Sequence, residues 1–437
     1  MSLGEYKLSE RSDAHGLLHT PEGVRDIYNS ECAKKLQVEA SIHEMLALYS
    51  FKDIETPTFE YFDIFNKERG TIASKEMYKF FDKEGNTLVL RPDFTPSIAR
   101  CAAKYYKEEE LPIRLCYNGN TFINNSRYQG KLKEISQIGA ELINDDSVDA
   151  DAEMIALVIE ALKRAGLKEF QIEIGHADFM NGILEEARLD EEEAMEFKSL
   201  MEAKNLFGVE DIIASKHLNN DLEELILKLP SLFGNENDLS YAKARVHNTR
   251  SIQAIERLEQ LQNILRVYGL EDYISFDLGM LSKYNYYTGI ILKGYTYGTG
   301  DVIVSGGRYD NLLRQFGKEA PAMGFIILID QLMLALACQN VEISTNSSQW
   351  MVIYDGNARK TAIDLVHQLR SSGKSVELMI KDGDKELDSY LAYASRNQTD
   401  RFYYVSETDG MNEINLLTKQ KEKVTREQVL DSAIRNN

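Results

Sequence analysis

Polar residues able to bind a small charged molecule stand in four separated blocks of this 437-residue chain. The blocks are Thr20–Asp26, Leu90–Thr95, Gln137–Glu141, and the pair Tyr286–Gly289 and Ser305–Asp310. An ammonium group is bound by carboxylate, hydroxyl and carbonyl oxygens, whereas an imidazole ring needs one acceptor and one donor. Asp93, Thr95 and Gln137 suit the ammonium group, and Glu141 and Tyr287 suit the ring. These residue types would suit a ligand that carries both groups.

Strand alternation places Gln137, Gly139 and Glu141 on one face of a predicted strand, with the glycine leaving room between two polar side chains. That arrangement favours a ligand site, although the two polar residues would also suit a shared sheet face without a ligand. Gly306 and Gly307 are typical of close backbone approach to a ligand, and equally of a β-bulge or tight packing.

The first part of the chain predicts an α+β arrangement with antiparallel neighbouring strands. Apolar spacing predicts a long helix from Asn29 or Ser30 to about Tyr49, and a second helix begins where Thr95 can cap and Pro96 can occupy the first turn. The predicted strands are Lys52–Ile54, Leu88–Leu90, Ile113–Tyr117 and Ile135–Leu142.

The middle of the chain, residues 178–270, is predicted to be an inserted helical region rich in acidic residues. Its charge runs are typical of a solvated surface, and an exposed acidic helix would also suit a protein partner. The flanking elements are a helix at Ser147–Ala165, strands at Phe170–Ile174, Ile274–Asp277, Gly289–Tyr297, Val302–Val304 and Gly324–Ile327, and a helix ending near Cys338.

A polar segment, Ser344–Ser348, separates a C-terminal unit in which strands and helices alternate, and this order predicts a small, largely parallel α/β domain. Its strands are predicted at Trp350–Tyr354, Ser375–Ile380 and Phe402–Val405, with helices at Ala358–Arg370 and Leu387–Ala394. The predicted domains are therefore residues 1–177 and 271–342 for the core, 178–270 for the insertion and 349–437 for the C-terminal domain.

Composition and charge argue against several classes of protein, namely nucleic-acid binders, metalloproteins and membrane proteins. The net charge of −20 repels polyanions and argues against a dedicated tRNA or DNA binder. Four scattered cysteines fit reduced thiols in the cytoplasm, and they suggest no metal site. No apolar run approaches the roughly 18 residues of a membrane span. We therefore expect a cytoplasmic protein without membrane attachment.

The order and spacing of the four blocks resemble the catalytic core of histidyl-tRNA synthetase, a class II synthetase, over roughly residues 17–340. The resemblance implies that Asp93, Thr95 and Gln137 hold the amino end of histidine and that Glu141 and Tyr287 hold its ring. Asp93 stands where synthetases usually have glutamate. The remaining residues that we assign to this histidine site are Tyr286, Gly306 and Arg308.

Three arginines of the synthetase pattern are replaced in this chain, by Ile123, Ser282 and Gln331. Synthetases use guanidinium groups to stabilise the charge that builds on the α-phosphate of ATP. Losing one such donor costs about 2.7 to 4 kcal/mol of transition-state stabilisation. We therefore predict that adenylation is absent and that no cofactor is needed.

A histidine pocket without ATP chemistry is similar to the ATP phosphoribosyltransferase regulatory subunits. Membership of that family implies a short-form catalytic subunit as partner, histidine as feedback effector, and self-association as a class II-type dimer. The alternatives are a histidyl-tRNA synthetase with relocated arginines and an inactive synthetase paralogue. The C-terminal domain occupies the place of the synthetase anticodon-binding domain, and we expect it to be retained without a tRNA role.

Overall fold

Short β-favouring runs in the first part of the chain build two sheets. The computed structural model describes residues 18–65, 72–125, 131–232, 234, 236–281, 286–345 and 349–435, and the chain divides into two compact units between Ile343 and Ser344. In chain order, the strands of the first unit are β1 (Lys52–Asp53), β2 (Phe59–Tyr61), β3 (Lys79–Phe81), β4 (Thr87–Leu90), β5 (Ile113–Phe122), β6 (Glu134–Ile143), β7 (Gln171–His176), β8 (Ile274–Phe276), β9 (Ile290–Tyr295), β10 (Val304–Arg308) and β11 (Ala322–Leu328).

Eight of these strands form the large sheet, in the order β1-β5-β6-β11-β10-β9-β7-β8. The central strands pair antiparallel, whereas β1 pairs with β5 and β8 with β7 in parallel. The pairing of β5 with β6 runs from Ile113 opposite Ile143 to Phe122 opposite Glu134. The predicted α+β class with a mostly antiparallel core is confirmed.

The sheet differs from the prediction at β10 and in a second, small sheet. The strand that was predicted to end at Val304 begins there and continues to Arg308, because backbone pairing with β9 and β11 extends through two glycines that lack β propensity. Strands β2, β4 and β3 form a separate three-stranded sheet, of which only the Leu88–Leu90 part was predicted.

The first helix is amphipathic, as predicted, but two residues expected on its apolar face are exposed: Leu36, and Tyr49, which follows the last helical residue and is 36% exposed. Val38, Ile42 and Met45 recur at helical spacing and pack in the main core. Leu36 is 58% exposed because it precedes Val38 by two residues, about 200° around the helix. The helices of the first unit are α1 (Asn29–Leu48), α2 (Thr95–Tyr105), α3 (Val148–Arg164), α4 (Ala177–Glu186), α5 (Glu191–Glu202), α6 (Leu206–Ala214), α7 (Asn220–Lys228), α8 (Glu236–Lys243), α9 (Thr249–Val267) and α10 (Ile329–Cys338). No helix in the described ranges is long and apolar enough to cross a membrane.

Helices α4 to α9 form the helical insertion between β7 and β8. The acidic run in α5 has a local role. Asp190 accepts the Glu193 backbone N–H at 3.0 Å, and Glu193 accepts the Asp190 backbone N–H at 2.9 Å, which completes a capping box. Glu193 also pairs with Lys216 at 2.6 Å. This acidic run therefore stabilises the start of its own helix.

The C-terminal unit contains one five-stranded sheet in the order β13-β12-β14-β15-β16. Its elements are β12 (Gln349–Tyr354), α11 (Arg359–Ser371), β13 (Ser375–Ile380), α12 (Leu387–Arg396), β14 (Arg401–Ser406), β15 (Gly410–Ile414), β16 (Lys421–Lys423) and α13 (Arg426–Arg435). The first three strands in chain order are parallel, as predicted. Strands β15 and β16 add antiparallel and were not predicted, because they are short and mostly polar.

A buried carboxylate connects the large sheet to two helices. Asp151 in α3 is fully buried and pairs with Arg308 Nη2 and Arg257 Nη2, each at 2.6 Å. The Nε atoms of the same arginines donate to Asp151 at 2.8 Å and 2.7 Å. Arg308 ends β10 and Arg257 lies in α9, so one side chain joins the sheet, the core helix and the insertion.

We expect Asp151→Ala to lower the free energy of unfolding by about 3–5 kcal/mol, because the change leaves two arginines without their shared partner. Chemical denaturation followed by far-ultraviolet circular dichroism measures the loss. The control is Arg314→Ala, which removes an exposed pair with Glu319 and should change stability by less than about 1 kcal/mol. A loss at Asp151 no larger than the control's would contradict the prediction.

Candidate functional site

One face of the large sheet presents Glu141 beside two glycines. The register places Glu141 of β6 opposite Gly324 of β11, and Gly324 opposite Gly307 of β10. A Cβ at Gly324 would lie 1.6 Å from Glu141 Oε2. The glycine therefore gives the carboxylate the space that it occupies, and the floor of the site next to Glu141 is bare backbone.

Three hydroxyl groups donate hydrogen bonds to the buried Glu141 carboxylate. Thr95 Oγ1 lies 3.0 Å and Tyr117 OH 3.2 Å from Glu141 Oε1, and Tyr309 OH donates to Oε2. Burial raises the pKa of Glu141 to about 8; the three hydroxyl groups oppose the rise and the nearby Asp93 charge adds to it. The site therefore holds an acid that is readily neutral near pH 7.

Asp93 is the second buried carboxylate of the site. Its Oδ1 accepts the backbone N–H of Thr95 at 3.1 Å, and its Oδ2 accepts a hydrogen bond from Tyr286 OH at 2.9 Å. Burial raises the pKa of Asp93 against these hydrogen bonds. The prediction that Thr95 caps α2 is wrong: Thr95 is the first helical residue, the cap position is Phe94, and the Asp93 carboxylate binds the free N–H.

Gln137 lies on the same face, four residues before Glu141, and is also buried. Its Nε2 donates to Thr121 Oγ1 at 2.9 Å, while Oε1 accepts no hydrogen bond from the described residues. Whichever way the amide is turned, one of its polar ends lacks a partner within the described chain. A buried amide of this kind favours a ligand that supplies the missing hydrogen bond.

The space above Gly139 belongs to Tyr117 and is not an open cavity. A Cβ at Gly139 would lie 2.5 Å from Tyr117 OH, and Tyr117 is the residue opposite Gly139 in the register of β5 and β6. The ring of Tyr117 stacks on Phe94 with centroids 4.5 Å apart. The predicted room between Gln137 and Glu141 thus has an aromatic floor.

Three further tyrosine rings close the site. The ring of Tyr286 is 4.9 Å from that of Tyr287 and 5.9 Å from that of Tyr309, between centroids. Tyr287 lies over Gly307, where a Cβ would come within 3.0 Å of its ring. It also lines a cavity of about 460 Å³ that contains Met280 and Ile291 and extends toward the insertion.

The structure corrects the predicted grouping at Arg308 and Gly306. Both residues alternate with Gly307 along β10, so their side-chain directions point to the opposite face of the sheet. Arg308 is bound there by Asp151, and a Cβ at Gly306 would meet Gly324 O at 2.5 Å and Phe325 Cβ at 2.8 Å. Six predicted residues therefore come together, namely Asp93, Thr95, Gln137, Glu141, Tyr286 and Tyr287.

Sequence reasoning missed Tyr117 and Tyr309 as members of the site. Tyr309 stands in the quoted Ser305–Asp310 block, directly after Arg308, and alternation would have placed it on the Glu141 face. Tyr117 is found only from the pairing of β5 with β6, because a large aromatic ring opposite a glycine on an antiparallel neighbour covers that glycine.

The described positions that replace synthetase arginines hold no cation. Ile123 packs beside the small core of Phe65, Ile72, Met77 and Val89. Gln331 has a buried Oε1 atom without a hydrogen bond from the described residues. Ser282, the third predicted replacement, lies outside the described residues.

One cluster of metal-ligand types lies away from this site. His43 Nε2, Asp53 Oδ1 and Cys116 Sγ lie within 4.8 Å of one another, on α1, β1 and β5. Asp53 already accepts from His43 at 2.6 Å and from the Cys116 thiol at 3.7 Å. Burial raises the pKa of Cys116 to about 12, and this disfavours the thiolate that a metal would bind.

Comparison with known proteins gives one family model and a set of similar chains. The model described as histidyl-tRNA synthetase matches residues 23–332. An ATP phosphoribosyltransferase regulatory subunit from Acetivibrio thermocellus is 40% identical over 94% of this chain and 98% of its own length. Another from Ruminiclostridium cellulolyticum is 38% identical over 96% of this chain and 99% of its own.

Solved structures share the fold. An ATP phosphoribosyltransferase regulatory subunit/histidyl-tRNA synthetase from Bacillus halodurans matches with a TM-score of 0.80 and 32% identity, covering 89% of this chain and 98% of its own. The histidyl-tRNA synthetase from Nostoc sp. PCC 7120 matches with a TM-score of 0.78 at 18% identity, covering 96% of this chain and 99% of its own, and this likeness concerns the fold alone.

The raised pKa of Glu141 predicts a pH dependence of stability. In the unfolded chain the carboxyl group ionises near its ordinary value of 4.5, whereas in the folded chain it holds its proton until about pH 8. Stability from this group therefore falls as pH rises between these values, by at most about 1.4 kcal/mol per pH unit, and levels off above.

We expect Glu141→Gln to remove that slope, because glutamine stays neutral at every pH. Between pH 5 and 8 the free energy of unfolding of the natural chain should fall relative to that of the variant as the pH rises. Parallel curves would contradict the prediction.

Proposed function

The chain belongs to the family of ATP phosphoribosyltransferase regulatory subunits, and we propose that it binds free histidine at Asp93, Gln137 and Glu141 to control a separate catalytic subunit. Its role in histidine biosynthesis is regulatory and not catalytic. In this proposal the partner is the short-form catalytic subunit, which carries out phosphoribosyl transfer to ATP.

The observation that best supports histidine as the ligand is the pair of buried carboxylates. Among the described residues, neither Asp93 nor Glu141 pairs with a lysine or arginine; backbone N–H and hydroxyl groups are their partners. Burying carboxylates without a cation is costly, and a ligand with an ammonium group and a ring N–H would offset that cost.

The spacing of the polar groups suits an amino acid with a polar ring. Gln137 and Glu141 are four residues apart on one strand, so their Cα atoms are roughly 13 Å apart. The Tyr117 ring covers Gly139 between them, so in this proposal the ligand lies above that ring and reaches Gln137 with one end and Glu141 with the other. We place the amino end of histidine near Asp93, Thr95 and Gln137, and its ring near Glu141 and Tyr287.

The replaced arginines explain why this pocket does not imply adenylation. Ile123 is apolar and Gln331 is uncharged, so neither can stabilise charge on the α-phosphate of ATP. A pocket that binds an amino acid without activating it is suited to sensing its concentration.

Regulation requires that histidine bind one state of the complex more tightly than another. The hydroxyl groups of Thr95, Tyr117 and Tyr309 donate hydrogen bonds to Glu141. A carboxylate has about four acceptor sites, so an imidazole N–H would join these hydroxyl groups at Glu141, and in this proposal the hydroxyl groups shift to admit it. The proposal is therefore that a changed tyrosine arrangement distinguishes the histidine-bound state.

We also propose self-association of the class II type. One face of the small sheet carries Phe59, Tyr61 and Phe80, which are 52%, 56% and 37% exposed. They lie on one side because Phe59 pairs with Leu90, and both Tyr61 and Phe80 pair with Leu88. Apolar faces of this kind are commonly covered in an oligomer, and a second copy of the chain is the proposed cover.

The isolated chain should bind histidine in isothermal titration calorimetry, and Glu141→Ala should weaken binding at least about tenfold, because it removes the only acceptor assigned to the ring. The control is Glu153→Gln, a carboxylate paired with Arg114, which should bind as the natural chain does. Equal histidine affinity in Glu141→Ala and the natural chain would exclude the assigned role of Glu141.

Mixing the chain with a short-form catalytic subunit should produce ATP-dependent phosphoribosyl transfer, and histidine should reduce that activity. In a complex containing Glu141→Ala the activity should persist while sensitivity to histidine is lost. Activity that is the same with and without this chain would remove the proposed partnership. Histidine-dependent exchange of pyrophosphate into ATP should stay absent.

A further inference from the structure

A buried arginine stands next to the histidine site without a carboxylate partner. Arg91 follows β4 and is 7% exposed. Its Nε donates to Asn120 O at 2.9 Å, and its Nη1 donates to Thr56 O at 2.8 Å and Pro57 O at 3.5 Å. The guanidinium lies over the Phe94 ring, 4.0 Å from the centroid. Among the described residues all its hydrogen-bond partners are neutral.

The Nη2 atom of Arg91 lies above the same sheet face as the two carboxylates. A Cβ at Gly119 would come within 2.7 Å of Nη2, and Gly119 is the residue opposite Gln137 in the register of β5 and β6. The guanidinium is therefore the cross-strand neighbour of the amide that lacks a hydrogen bond. No hydrogen bond of Nη2 to the described residues is found, and Nη2 is not among the fully buried atoms that lack a partner, so this donor can be reached by a ligand. A guanidinium donor in such a position favours an anion.

The electrostatic environment of Arg91 favours an additional anionic partner. Burial lowers the pKa of Arg91, and the through-space attraction of Glu55 offsets this only in part. Neutral carbonyl groups and an aromatic ring stabilise the cation, but they do not replace a paired carboxylate or phosphate.

We propose that Arg91 Nη2 binds the α-carboxylate of histidine, so that the site accepts the zwitterionic amino acid and discriminates against analogues without a free carboxylate. The proposal rests on histidine binding as set out above. In this proposal each polar group of the ligand has one binding partner: Arg91 for the carboxylate, Asp93 for the ammonium group and Glu141 for the ring.

The position of Arg91 explains how the chain can bind the ligand carboxylate without the synthetase arginines. Arg91 and Asp93 are separated by one proline, whose ring restricts the backbone conformation between the cation and the anion. The Arg91 side chain is fixed by two strongly bound carbonyl groups and by Phe94, which itself stacks on Tyr117. A guanidinium that is already fixed loses little further freedom when a carboxylate binds.

A purely structural role for Arg91 makes a different prediction. If Arg91 only ties the end of β5 to the Thr56–Pro57 segment, its loss should weaken every ligand of the site equally. Histidinol provides the comparison, because a hydroxymethyl group replaces the carboxylate while the ammonium group and ring are unchanged.

The experiment measures dissociation constants of histidine and histidinol for the full chain by isothermal titration calorimetry. We expect the natural chain to bind histidine roughly ten- to a hundredfold more tightly, the range of a hydrogen bond to a charged group. Arg91→Gln should remove that preference and leave histidinol affinity within about threefold, and Arg91→Lys should keep part of the preference. Arg100→Gln, a partly buried arginine paired with Glu60, is the matched control and should keep the whole preference.

The outcomes separate the two proposals. Equal affinity of the natural chain for both ligands would overturn the role of Arg91 even if the Arg91 variants fail to fold, and would leave histidine binding standing. Equal weakening of both ligands in Arg91→Gln would also overturn it. Binding of neither ligand to the natural chain would overturn histidine binding, and this inference with it.

Discussion

Burial of the Glu141 carboxylate among hydroxyl groups is the constraint on which the arrangement of the site depends. A carboxylate away from water must be hydrogen-bonded, neutralised or paired with a cation. This chain uses the first two, since three hydroxyl groups donate to Glu141 and burial raises its pKa to about 8. Among the described residues no lysine or arginine pairs with Glu141, and this distinguishes the site from an internal salt bridge such as that of Asp151.

The sheet meets this constraint through its glycines and its register. Gly324 leaves the volume that Glu141 occupies, Gly307 lies beneath Tyr287, and Gly139 lies beneath Tyr117. The two tyrosine rings thus each cover a glycine, and their hydroxyl-bearing rings surround the carboxylates. Four strands must be in the correct register for this, so the pocket is a property of the whole antiparallel core and not of one motif.

The sequence alone was sufficient to predict which residues of β6 point to the same face of the sheet. Gln137 and Glu141 share that face because side chains on a strand alternate with period two, whatever the neighbours are. Tyr117 could not be found in this way, since its position over Gly139 depends on the pairing of two strands. Arg308 lies on the opposite face, and a related reason kept this from being predicted: a strand predicted to end at Val304 gives no alternation for the residues that follow, whereas the strand continues to Arg308. The C-terminal strands β15 and β16 were missed because short polar strands have no alternation to detect.

The end of β10 joins two unlike environments across one peptide bond. Tyr309 donates to Glu141 on the tyrosine-lined face, while Arg308 on the opposite face is bound to Asp151 with Arg257 of the insertion. Tyr309 and Arg308 are consecutive residues, so one short segment of main chain positions the side chains on both faces of the sheet. A displacement of that main chain would change the distances on both sides at once. The residues around Glu141 and the helices on the far side of the sheet accordingly have a common mechanical support.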